Sequence, residues 1–140
     1  ESASAVFLCG GNTIALNGFI FEYELADKLK NSDALIMGAS AGAINMGAKW
    51  LCGKSTGYYK EEENVIYDGA GLDNIYLCSM HNLDVTSSSL QADLTPMSES
   101  LDVYVAYNEG AIRIKDGTVD VLGEVYLVRH SVIEKMDETI

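Results

Sequence analysis

Residues 33–47, DALIMGASAGAINMG, carry a short apolar run into a candidate helix through Gly38-Ala39-Ser40-Ala41-Gly42. No side chain in that pentapeptide is larger than a hydroxymethyl. Residues this small do not fill a core, and they are too apolar for an ordinary loop. They suit a strand that breaks sharply into a helix around a strained serine, with glycines two before and two after it so that strand and helix pack closely. The serine then points outward at the C-terminal edge of a sheet. The next backbone N–H, that of Ala41, lies at a helix N-terminus and can donate to a developing oxyanion. A helix start chosen only for close packing would use the same residues.

The flanking sequence supplies that context. SAVFLC (4–9) is predicted as a buried strand entering a tight turn at Gly10-Gly11. Asn12 and Thr13 offer capping side chains, and 13–30 is predicted as one helix with Leu16, Ile20, Leu25 and Leu29 apolar and Gly18 its weak point. A second buried strand is predicted over 33–37 and a second helix over 41–51. Strand, helix, strand, helix implies parallel strands joined by crossover helices. Beyond them, 52–63 is predicted as an exposed loop with a charged end. Short strands are predicted over 64–67 and 75–80, around an Asp68-Gly69 turn. The stretch 87–101 is predicted as a loop and short helix interrupted by Pro96, the only proline. DVYVAY (102–107) is strand-like. Residues 110–128 are predicted as a strand, an Asp116-Gly117 turn and two more strands, an antiparallel hairpin pattern. A terminal helix is predicted over 130–140.

The 140 residues fall within the usual size of one domain, and 48% apolar content is enough to bury a core. A net charge of −12 and a pI near 4.3 argue against nucleic acid and anionic membranes as partners. No stretch approaches ~18 apolar residues, so no membrane span is expected. The first residues have neither the basic nor the apolar region of a signal peptide. Cys9, Cys52 and Cys78 are odd in number and lack CxxC spacing. Reduced, buried thiols in a cytoplasmic protein are therefore expected, rather than disulfides or a zinc site.

A serine at its free pKa is a poor nucleophile and needs a base. Of the two histidines, His81 in CSMHNLD follows a predicted strand and can reach the same sheet edge as Ser40, whereas His130 in LVRHSV reads as a surface residue. A third group should orient the imidazole. Glu109, in AYNEGAI, again follows a strand and precedes a glycine; Asp84 is too near His81 in sequence, and Glu61 to Glu63 read as a solvated face. Gly10-Gly11-Asn12 can lend a second N–H to an oxyanion hole, cradle a phosphate, or be a plain turn and cap. No G-x-G-x-x-G or Walker pattern is present, which lowers the nucleotide reading. No metal or cofactor is expected. GKSTGYYKEEE (53–63) is either part of a site rim or a plain surface loop.

Three stretches together resemble the dipeptidase E and cyanophycinase family of serine peptidases. VFLCGGNTIAL is similar to its GGNT strand-turn, ALIMGASAGAINMG to its G-x-SAGA nucleophile turn, and YNEGAIRIKDGTVDVLG to its Glu-Gly strand and hairpin. They come in the family's order and span most of the chain. The resemblance implies an α/β fold related to class I glutamine amidotransferases. The sheet is then mostly parallel, in three layers flanked by helices, with a C-terminal antiparallel hairpin. It also implies a Ser-His-Glu triad. Carried over by position, the nucleophile falls on Ser40, the base on His81 and the triad acid on Glu109, with oxyanion donors at the backbone of Ala41 and Gly11.

The expectation is a single catalytic domain over 1–140 that hydrolyses short peptides. An esterase or amidase with the same triad and a non-catalytic binding domain are the rival readings. Family members carry further elements before the GGNT strand, so the chain is expected to be a fragment or to need a partner segment or second copy. The stretch between His81 and Glu109 has no Lys or Arg, which argues against selection of an N-terminal aspartate. Met80 stands where the family places a proline.

Overall fold

The computed structural model describes residues 3–53, 64–80 and 84–140. Strands β1 (Ala5–Leu8) and β2 (Leu35–Gly38) pair in parallel, with Leu8 opposite Gly38. The Ala39 N–H prolongs the ladder to the Leu8 carbonyl at 3.1 Å. Parallel neighbours need a crossover, supplied here by α1 (Thr13–Glu22) and α2 (Leu25–Lys30). Asn12 caps α1 by accepting the Ala15 N–H at 2.9 Å. The single helix expected over 13–30 is thus two. The break falls not at Gly18 but at Tyr23 and Glu24, where Glu24 adopts a left-handed φ of 53°. The freed carbonyls are covered locally: Glu24 N–H donates to Phe21 O, and Lys28 Nζ donates to Tyr23 O at 3.0 Å.

Helix α3 (Ala41–Met46) packs on β1, β2 and α1. It stops well short of the predicted residue 51, because the backbone beyond it is claimed by strands. Ala48 N–H donates to Ile75 O and Ala48 O accepts from Gly69 N–H. Strand β3 (Lys49–Cys52) then pairs antiparallel with β4 (Val65–Asp68), burying Trp50, Leu51 and Cys52. Strand β5 spans Ile75–Met80, as expected. Helix α4 (Ser88–Ser98) runs through Pro96 instead of being interrupted by it. The proline sits in the last turn, where its missing N–H forfeits a single ladder bond.

Strand β6 (Asp102–Tyr107) lies parallel to β5 and antiparallel to β9 (Val125–Arg129). Hairpin β7 (Ala111–Lys115) and β8 (Thr118–Leu122) turns at Asp116-Gly117, both left-handed. The helix expected over 130–140 is instead strand β10 (Val132–Lys135), which completes the order β10-β9-β6-β5. His130 and Ser131, with φ of 46° and 63°, form its two-residue turn. That turn is tied to the end of α4 by His130 N–H to Ser98 O and Ser131 N–H to Ser98 Oγ.

The fold class is α/β, as expected. The described ladders are nevertheless small and mixed, with parallel pairing confined to β1–β2 and β5–β6. Strand alternation in β6 separates two cores. Val103 and Val105 face a cluster with Ile44, Trp50, Tyr76, Leu90 and Leu94, while Tyr104 and Ala106 face Val121, Val125 and Leu127.

The cysteines divide. Cys52 and Cys78 are buried, and burial pushes the Cys78 thiol up to about 12. Cys9 is exposed, contrary to expectation, because β1 has ended and the chain is already turning at the sheet edge. Under native conditions an alkylating reagent should therefore modify Cys9 promptly and Cys78 only on unfolding. Peptide mapping by mass spectrometry reads this directly, and equal native labelling of Cys9 and Cys78 would contradict the buried assignment.

Candidate active site

Ser40 is the hinge between β2 and α3. It is exposed, with φ 49° and ψ −115°, and its side chain makes no capping bond among the described residues. A residue with a Cβ holds such a conformation at a cost of roughly 1–3 kcal/mol, so the surrounding structure has to impose it. Two glycines do so. A Cβ on Gly42 would lie 1.9 Å from Leu8 O, and one on Gly38 would lie 2.6 Å from Ala43 N. Helix α3 therefore sits directly on the backbone of β1 and on the end of β2, as the spacing of the two glycines predicts.

The Gly10-Gly11 turn stands at the same sheet end. A Cβ on Gly10 would be 3.4 Å from Ser40 Cβ, which puts the two turns in contact. Gly11 is exposed with φ 139°. Ala41 opens α3, and its N–H belongs to the first turn, where no intrahelical acceptor exists. The structure thus brings Ser40, Ala41 and the Gly10-Gly11 turn together.

His81 and residues 54–63 of the possible rim lie outside the described residues. The chain on either side of His81 is described, and both flanks are tied to one residue, Tyr107. Met80 is the ladder partner of Tyr107, and Val85 N–H donates to Tyr107 Oη at 2.6 Å. Burial raises the Tyr107 phenol above its ordinary range, with the Val85 N–H acting in the opposite sense. Glu109 is exposed in the turn just past β6, where Gly110 N–H closes back on Tyr107 O. The sequence marked Tyr107 only as a strand residue; no local pattern signals its role as a tie point.

Helix α3 leaves the Ser40 edge and ends beside the start of β5, where Ala48 N–H meets Ile75 O. Strand β5 packs against α3 and runs parallel to β6.

A groove of about 590 Å³ opens elsewhere, at the starts of β5 and β6, lined in part by Asp73, Glu99, Asp102, Ile114, Arg129 and His130. It contains none of the residues proposed for the triad or the oxyanion hole. Its charges largely satisfy one another. Arg129 binds Asp102 through both Nε, at 2.6 Å, and Nη2, which holds the Asp102 carboxyl below its usual range. Burial raises Asp73, partly offset by the Ile75 N–H it accepts. Size alone does not make this groove the reactive centre: Ser98 and Ser100 line it with His130, but Ser98 Oγ donates to Thr95 O and accepts the Ser131 N–H, and Ser100 Oγ donates to Met97 O.

Among the described residues no group of three or more His, Cys, Asp or Glu side chains could hold a metal ion, and no helix is long and apolar enough to cross a membrane. Residues 1–122 match the family model described as Peptidase family S51. The matched span takes in both glycine turns, Ser40, His81 and Glu109. No curated protein matches the chain.

Proposed function

The chain belongs to peptidase family S51, and on that premise we propose that it is a serine peptidase of the dipeptidase E type that hydrolyses short peptides through an acyl-enzyme. The observation that carries this reading is Ser40 itself: exposed, strained at φ 49° and against the Gly10 turn. Ser40 Oγ attacks the scissile carbonyl while His81 takes its proton. Glu109 fixes the His81 tautomer and stabilises the imidazolium. The N–H groups of Ala41 and Gly11 receive the oxyanion, each worth roughly 3–4 kcal/mol of barrier in comparable sites. His81 then protonates the leaving amine, and water releases the acyl group. The common attachment of both flanks of His81 to Tyr107, two residues before Glu109, supports the pairing of base and acid. The two parallel strand pairs support an arrangement related to class I glutamine amidotransferases. Three cysteines, odd in number and without CxxC spacing, support a cytoplasmic setting.

A fluorophosphonate probe tests the nucleophile. Covalent labelling that maps to Ser40 is the expected result, and an unlabelled, folded chain would favour a binding domain instead. The base and acid have their own test. Activity should rise with pH as an ordinary histidine loses its proton near ~6.5, because only neutral imidazole accepts the serine proton. Glu109→Gln should lower kcat by at least ~10²-fold by weakening control of the imidazole, whereas Glu22→Gln, on the exposed end of α1, should leave it unchanged. A flat pH profile between 5 and 8 removes His81 from the base role, and equal effects of the two glutamine variants remove Glu109.

A further inference from the structure

Asn45 is fully buried in α3 and is not one of the residues the reaction uses. Its carboxamide is hydrogen-bonded at both ends. Nδ2 donates to Thr13 O at 3.1 Å and to Ala41 O at 3.0 Å, and Oδ1 accepts from Asn17 Nδ2 at 2.9 Å. Asn17, itself buried, also donates to Asp68 O at 2.8 Å.

The two carbonyls that Asn45 binds have a shared position in the fold. Thr13 is the first residue of α1, three beyond Gly10, and Ala41 is the first residue of α3, directly after Ser40. One amide group therefore ties together the helix starts that follow the two turns at the candidate site. Helix α1 and β1 reach that site from a different part of the chain than β2 and α3, and the Thr13 bond joins across a separation of 32 residues. An apolar side chain of similar volume would pack at this position without the desolvation cost of an amide, but it could not set a distance and an angle between the two carbonyls.

We propose that Asn45 is a positioning residue that fixes the Gly10-Gly11 turn against the Ser40 turn, with Asn17 orienting its carboxamide. The proposal rests on the serine peptidase reading in one respect: the groups held in register are the Ser40 hydroxyl and the N–H groups of Gly11 and Ala41. The Asn45 network keeps the two N–H groups at a constant separation when the carbonyl oxygen becomes an oxyanion, which is when misplacement costs most.

The test compares Asn45→Leu, Asn17→Leu and a control, Leu94→Ala, which opens the core where α4 packs on β6 and β9 and makes no bond to either turn. Two measurements are made below the melting temperature of each variant. The first is inactivation by a fluorophosphonate, resolved into its maximal rate and its binding constant and referred to the folded fraction. The second is amide hydrogen exchange at Ala15 and Leu16, after the first turn, and at Gly42 and Ile44, after the second.

Asn45→Leu should lower the maximal inactivation rate by at least ~10-fold with the binding constant little changed, and should speed exchange at both turns. Asn17→Leu should do the same to a smaller degree. Leu94→Ala should lower stability without changing the inactivation rate. An Asn45→Leu protein that inactivates like the parent, or a Leu94→Ala protein that loses as much, overturns the proposal. Should Asn45→Leu fail to fold, Asn17→Leu decides: exchange unchanged at either turn refutes it. A parent chain that never labels refutes the peptidase reading instead, and the exchange data then judge the positioning role alone.

Discussion

Ser40→Ala is expected to abolish peptide hydrolysis, lowering kcat by at least ~10³-fold, because the residual rate of a triad enzyme without its nucleophile comes only from binding and the oxyanion hole. The fold should survive. Alanine keeps the Cβ, so the strain at φ 49° is unchanged, and the lost hydroxyl makes no capping bond among the described residues. Ser40→Gly separates the two properties further. Glycine takes a positive φ at no steric cost, which relieves strain of roughly 1–3 kcal/mol against a chain-entropy loss of roughly 0.5–1 kcal/mol. The glycine variant should therefore melt at or above the parent temperature and be as inactive as the alanine one. Steady-state kinetics on a short peptide and a thermal melt of each variant measure this. Turnover by Ser40→Ala within tenfold of the parent would eliminate Ser40 as nucleophile. A marked drop in the melting temperature of Ser40→Gly would mean that the turn is not strained.

The parts of this molecule that were legible in the sequence are those whose constraint is local. Strands β1, β2, β5 and β6 are short apolar runs closed by glycine or polar residues, and each was placed to within a residue or two. The Gly-x-Ser-x-Gly turn could be read because its glycines answer a steric demand made within five residues. Failures came where the deciding partner is far away. The AKWL stretch is as compatible with a helix as with a strand until Ile75 and Gly69 take the backbone groups of Ala48. The turn at His130-Ser131 has neither the asparagine nor the glycine that usually announces a two-residue hairpin, and its anchors on Ser98 lie more than thirty residues away. Glu24 ends α1 in a left-handed conformation with no glycine to signal it. No local pattern marks Asn45, because its burial arises only when α1 and the end of β4 close over α3. Cys9 was misread for the opposite reason: its sequence neighbours are apolar, yet the sheet has already ended there.

Gly42→Ala should be the most damaging single-methyl change in the described structure. The added Cβ would lie 1.9 Å from Leu8 O and 2.5 Å from Leu8 C, whereas ordinary contact begins near 3.4 Å. Neither atom belongs to a flexible side chain, and Leu8 is held in the ladder opposite Gly38. Helix α3 must therefore move off β1 by roughly the difference, about 1.5 Å. Such overpacking costs ~1–3 kcal/mol and sometimes more, so a drop of roughly 10 °C in the melting temperature is expected. The displaced helix carries Ala41 at its first position and Ser40 just before it. The same shift should thus cost about 10²-fold in turnover, as an ångström of misplacement does elsewhere. Leu8→Ala should not rescue the variant, because it leaves the carbonyl that makes the clash. Gly18→Ala is the counterpart with the opposite sign. It lies in the exposed interior of α1, where an added Cβ meets nothing within 4 Å among the described residues. Higher helix propensity should then raise stability by ~0.5–1 kcal/mol. Thermal melts of the two variants side by side decide the matter, and a Gly42→Ala protein that melts with the parent would show that α3 does not rest on the backbone of β1.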